Sequence, residues 1–172
     1  MLAQHAGAVF ERLEDSDWDV CCAAFEALRT LEPATLAQHS NVFVAMLADD
    51  YHSRSRLVAL WMLRLLEPAK LAQYADAVVV RLKDNDRRAR KQALMTLQKL
   101  EPATLARHAD AVAAVARLED SDRVERSEAL RTLGCLEPAT LAQHRGAVLA
   151  TLRDSHYSVR EAALKRNVPR SS

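Results

Sequence analysis

Leu31-Glu-Pro-Ala-Thr-Leu-Ala-Gln-His39 returns as Leu66-Glu-Pro-Ala-Lys-Leu-Ala-Gln-Tyr74, as Leu100-Glu-Pro-Ala-Thr-Leu-Ala-Arg-His108 and as Leu136-Glu-Pro-Ala-Thr-Leu-Ala-Gln-His144. Pro33, Pro68, Pro102 and Pro138 set the period at 35, 34 and 36 residues. The chain opens on Leu2-Ala-Gln-His5, the same motif without its Glu-Pro lead. A repeat of this length marks one supersecondary unit that hides its apolar face only by stacking on its neighbours. The predicted organisation is a single repeat domain over 1–172, with units at approximately 1–33, 34–68, 69–102, 103–138 and 139–168 and a tail at 169–172.

Composition agrees. Ala (31) and Leu (25) make up about a third of the 172 residues, and both favour helix. Three Gly and eight aromatics supply little of what sheets and hairpin turns need. With 49% hydrophobic and 27% charged residues the chain is no disordered segment. The longest apolar stretch, Leu57 to Leu66, is interrupted by Arg64 and is too short to span a bilayer. No secretory signal opens the sequence, and Cys21, Cys22 and Cys135 form neither a disulfide framework nor a C-x-x-C pair. The expectation is an all-α, cytoplasmic protein.

Each unit reads as two helices. In the third, Ala75, Val78, Val79 and Leu82 share a face over roughly 73–82. An acidic turn follows, Asp15-Ser16-Asp17, Asp84-Asn85-Asp86 or Asp120-Ser121-Asp122, whose carboxylates suit the N-terminus of the next helix. In unit one that second helix is predicted over about 18–31, burying Val20, Ala24, Ala27, Leu28 and Leu31. Unit two carries one extra residue, placed in the Asp49-Asp50-Tyr51 loop. Unit four carries two, placed near the start of its first helix, because Ala111, Ala114 and Val115 keep helical spacing back from Leu118.

The pattern Asp-Ser-Asp-x-x-x-Arg-x-x-Ala-Leu, followed by a Leu-rich helix end and Leu-Glu-Pro, resembles the HEAT repeat, and most closely the short HEAT-like repeats of phycobilisome lyases. Unit five has it most fully, from Asp154 through Arg160 to Leu164. The resemblance implies a right-handed α-solenoid of about five HEAT-like helical hairpins, first helices convex and second helices concave. Since one superhelical scaffold serves many functions, it implies no particular activity. The iron hydroxylases of this class use His-Glu pairs, and this sequence has no His-Glu dipeptide. Met1 enters partway through a unit and Asn167 stands where other units have Leu, so the expectation is either part of a longer array or an array that has been shortened.

His5, His39, His108 and His144 share one repeat position. Packed helices step by about 8–10 Å, too far for these side chains to converge on one metal, and a structural role is expected. No Gly-rich phosphate loop and no nucleophile–base constellation occurs. No enzyme activity, cofactor or metal site is therefore expected.

Arg56, Arg90, Arg126 and Arg160 recur at one second-helix position, with Cys21 as the exception. They are read as exposed bridges to the turn aspartates, so Arg90→Ala is expected to cost about 0.5–1 kcal/mol. Arg87, Arg88, Arg90 and Lys91 also form a basic cluster, but a net charge of +1 speaks against a nucleic-acid domain. On the second helices, the positions read as facing away from neighbouring units are mostly polar or small, whereas unit two has Leu57, Trp61 and Leu65 at i, i+4 and i+8. With Lys91, Met95, Lys99 and Arg131 these form the candidate binding surface. It suits a protein or peptide partner offering apolar side chains among acidic ones. The functional expectation is a protein–protein interaction scaffold that binds along the concave face. The alternatives are a nucleic-acid-binding HEAT-like module and a fragment of a bilin-lyase-related protein. Self-association through unit ends or the Trp61 stripe is a further partner expectation, and a membrane is not.

Overall fold

Proline and aspartate punctuate the chain. The structure, a computed structural model, describes residues 5–49, 52–117 and 122–167. Leu2, Asp50, Tyr51, Leu118, Asp120, Ser121 and the tail therefore lie outside it. Unit one comprises α1 (Ala6–Phe10), a 3-10 turn at Glu11–Glu14, and α2 (Trp18–Leu28). Unit two comprises α3 (Pro33–Gln38), α4 (Ser40–Leu47) and α5 (Ser53–Leu63). Unit three has α6 (Pro68–Leu71), α7 (Ala75–Val80) and α8 (Arg87–Leu97); unit four has α9 (Pro102–Ala106), α10 (Ala109–Arg117) and α11 (Arg123–Leu133). Unit five has α12 (Pro138–Gln143), α13 (Arg145–Thr151) and α14 (Tyr157–Asn167). None of the described helices is long and apolar enough to cross a membrane.

The two-helix reading was too coarse. A short helix with proline at its start leads each of units two to five into its first helix. Proline fits there because its missing N–H would have no helical partner. The break falls at the repeated His/Tyr position, where His39, Tyr74 and His144 have φ near −100° and ψ near 10°. Contact with the preceding unit accounts for that position. The His39 ring centroid lies 4.4 Å from that of Phe10, and the Tyr74 hydroxyl lies 2.7 Å from Ser40 Oγ. His108 and His144 place Nδ1 3.7 Å from carboxylate oxygens of Asp76 and Asp110.

Asp17, Asp86 and Asp122 cap α2, α8 and α11 by accepting the backbone N–H two residues on. Asp15, Asp84 and Asp154 close the turn, each accepting an N–H two residues ahead. Two expected faces change in part. In α2, Ala24 and Leu28 are buried as expected and Cys21 with them, while Val20 is exposed and Ala27 and Leu31 are half-buried. In α10 the buried residues are Ala109, Val112, Ala113 and Ala116, in step with Ala75, Val78, Val79 and Leu82, together with Val115 as expected, while Ala111 is half-buried and Ala114 exposed. The start of α10 is thus in register with that of α7, so the two extra residues do not precede it.

Second helices pack in series, α5 on α8, α8 on α11 and α11 on α14. Leu60, Leu63, Leu94, Leu97, Leu130 and Leu133 are essentially inaccessible between them, each contributing roughly 1.5–3 kcal/mol of burial. Thr96 Oγ1 donates toward both Gln92 O in its own helix and Leu60 O in the helix before, and Thr132 does the same toward Glu128 O and Leu94 O.

The arginine position ties the units together, though not as exposed pairs. Arg56 reaches forward to Asp84 through two hydrogen bonds of 2.6 and 2.9 Å, with side-chain exposures of 6% and 0%. Arg126 grips Asp154 at 2.7 and 3.0 Å, again nearly buried. Arg90 grips Glu125, a helix residue, instead of the expected turn aspartate. Arg56 and Arg90 also donate backward to carbonyls of their own unit's turn, Asp49 O and Asp84 O, and Arg160 does so to Asp154 O. Cys21 holds the same place in unit one by donating to Leu13 O at 3.2 Å, and burial raises its thiol pKa.

Burial would push the Asp84 carboxyl up, but the Arg56 hydrogen bond, the Asp86 N–H and the charges of Arg56 and Arg81 outweigh it and hold it below the usual carboxylate range. The Arg126 hydrogen bond depresses Asp154 likewise, against its burial. A carboxylate depressed in the folded state stabilises the fold above its unfolded pKa, and that contribution is lost as pH falls through the folded value. The melting temperature should hold from pH 7 to about 5 and fall below about pH 4. A melting temperature that rises on acidification would contradict this.

The end of the array should be the least protected part. Leu164 is 56% exposed, whereas its equivalents Leu60, Leu94 and Leu130 are buried by a following unit. Native-state hydrogen exchange should be fastest in α14, and protection at Ala163 and Leu164 equal to that at Leu97 and Leu133 would contradict this.

Candidate partner-binding surface

Two second helices, α2 and α5, form one aromatic cluster, and residues of the third unit line the groove beside it. Trp61, in the last turn of α5, has its ring centroid 5.2 Å from Phe25 and 5.9 Å from Trp18, both on α2. The planes are tilted by about 50°, the edge-biased geometry that the ring quadrupole favours. The Arg54 guanidinium lies 5.0 Å from the Trp18 ring centroid. All three aromatic side chains are half-buried, packed on the core on one side and reaching the surface on the other. A groove of about 280 Å³ runs beside them, lined by Phe25, Trp61, Arg64, Leu65, Gln92 and Lys99.

The structure thus brings Trp61, Leu65 and Lys99 together and leaves other expected residues apart. Leu57 is a correction: it is 4% exposed, so it can present nothing to a partner. α5 is flanked on both sides, so its apolar side chains are buried nearly all round, Val58, Ala59 and Leu60 included. Met95 is half-buried and Lys91 exposed, both outside the groove. Arg131 is exposed and bonds Glu128 at 2.8 Å. That carboxylate also accepts from Gln98 Nε2.

The sequence reading missed Trp18, Phe25, Arg64 and Gln92. A signal for the first two was present, because residues seven apart lie on one helical face. Their position points at the next unit, where Arg87 also reaches forward to Asp122.

The basic cluster is largely engaged. Arg87 pairs with Asp122, Arg88 with Asp86, and Arg90 with Glu125. Among the described residues, no three His, Cys, Asp or Glu side chains gather as metal ligands.

The architecture is that of a HEAT-like α-solenoid. It is similar to the complex of CpcE and CpcF of phycocyanin lyase from Nostoc sp. PCC7120, with a TM-score of 0.73 and 15% identity over 96% of this chain and 99% of that one. An engineered protein is similar with a TM-score of 0.68 and 17% identity, over 95% of this chain and 78% of that one. No protein-family model and no curated protein matches the sequence. At these identities the likeness establishes the fold alone.

Proposed function

We propose that this chain is a non-catalytic scaffold, a right-handed array of about five helical hairpins that binds a protein partner along the concave layer of second helices. The observation that carries this reading is the Trp18–Phe25–Trp61 cluster. It spans two units and keeps large aromatic surface accessible beside cations, the composition of an interface anchor. The CpcE–CpcF structure is itself a complex of two proteins, which agrees with a protein-binding use of the fold. The nucleic-acid alternative has less support, because Arg87, Arg88 and Arg90 are spent on carboxylates of this chain.

The two layers can be tested against each other. Val80, the last residue of α7, and Leu149, in α13, are exposed apolar residues of the first-helix layer. Partner capture should be lost with Trp61→Ala and retained with Val80→Ser and Leu149→Ser. The reverse pattern would move the binding face to the other layer.

A further inference from the structure

We propose that the groove at Trp61 is a subsite for a carboxylate, and that the partner is a peptide segment with an Asp or Glu side chain close to an aromatic or large aliphatic one. This rests on the reading that the second-helix layer binds a protein, and it specifies the chemistry that layer selects.

Three observations converge. First, the groove has an apolar wall, Phe25 and Trp61 with Leu65, of the size that one apolar side chain covers. Second, its polar lining is cationic: Arg64 and Lys99 are exposed, come from two successive units, and make no ion pair among the described residues. Arg107, Arg123, Arg145 and Arg153 are likewise without one, so what distinguishes Arg64 and Lys99 is their place together on an apolar groove. Arg56, Arg87, Arg88, Arg90, Arg126 and Arg131 each hold a carboxylate of the fold. Third, Gln92 lines the same groove, is 8% exposed, and has a buried Nε2 with no hydrogen-bond acceptor. A buried amide donor without an acceptor is costly, and a side-chain rotation that brings Nε2 to the groove would let a carboxylate there accept from it.

One carboxylate answers all of these features. Its charge complements Arg64 and Lys99, one oxygen accepts from Gln92, and the adjoining apolar side chain lies on Trp61 and Phe25. A basic segment or a nucleic acid fits less well. The phosphate backbone would find the two cations but would have no use for a narrow apolar wall, and a lysine or arginine would meet like charge.

The site provides its own reporter, since Trp18 and Trp61 are the only tryptophans in the chain and both belong to it. A random twelve-residue peptide library displayed on phage should yield, on the wild-type protein, a consensus with Asp or Glu within four positions of Phe, Trp, Leu or Ile. The synthetic consensus peptide, titrated by intrinsic tryptophan fluorescence, should bind about tenfold more weakly to Lys99→Glu and to Arg64→Glu. Replacing the peptide's acid by lysine should restore binding to Lys99→Glu. Both cations are exposed, so these variants leave the fold intact, and Gln92→Leu should weaken the acidic peptide while sparing its Glu→Gln counterpart.

A consensus without an acidic position, or an affinity unmoved by Lys99→Glu and Arg64→Glu, overturns the carboxylate subsite. If Trp61→Ala still abolishes binding in that case, the protein-binding face survives without it. Enrichment of basic peptides, or a library that yields no binder, overturns both readings.

Discussion

Replacing Arg56 by alanine should lower the free energy of unfolding by about 3–5 kcal/mol, the cost expected when one member of a buried ion pair is removed. Arg56 and Asp84 lie on successive units, share two hydrogen bonds, and are almost fully withdrawn from water. Truncating the arginine strands Asp84 with Arg81, 3.7 Å away, as its nearest remaining cation, and also removes the donor from Asp49 O. The effect is therefore the desolvation of an uncompensated carboxylate, not the modest net value of an exposed pair. Replacing both partners by apolar residues, as in Arg56→Met with Asp84→Leu, should recover most of the loss and blunt the acid sensitivity. Arg90→Ala should exceed the 0.5–1 kcal/mol expected from sequence, since Glu125 is 3% exposed, but fall below Arg56→Ala because Arg90 is itself a quarter exposed. Urea denaturation of the three variants decides the order. Equal losses near 1 kcal/mol would mean that the pairs are solvated.

Trp61→Ala should weaken partner binding by about 2 kcal/mol or more, in the range of interface hot spots. The folded state should lose less than the roughly 3–5 kcal/mol of a core tryptophan truncation. The indole is half-buried and meets Phe25 and Trp18, so a stability loss of about 1–2 kcal/mol is expected from these aromatic contacts. Affinity and denaturant midpoint measured on the same preparation separate the two effects. A stability loss of the full core magnitude with unchanged affinity would assign Trp61 to packing.

What sequence could disclose here was local. The Leu-Glu-Pro period, proline at helix starts and aspartate at helix caps are decided within a few residues, and each is where the spacing placed it. What it missed depends on the next unit. Leu57 is buried because α5 has helices on both flanks, and Arg56 because its carboxylate belongs to the following repeat. The extra residues of unit four were misplaced because helical spacing back from Leu118 gives one plausible face, while the face that is buried follows the register of Ala75, Val78 and Leu82 in unit three. Trp61 was legible as an anomaly in a polar position. Its partners Trp18 and Phe25 belong to the preceding unit, so no pattern along one repeat position marks them.

Hydrogen-exchange mass spectrometry of the protein with and without a bound partner tests the central claim most directly. Protection on binding should fall on α2, α5 and α8, centred on the segment around Trp61, and leave α4, α7 and α10 unchanged. Protection confined to α4, α7 and α10 would contradict it.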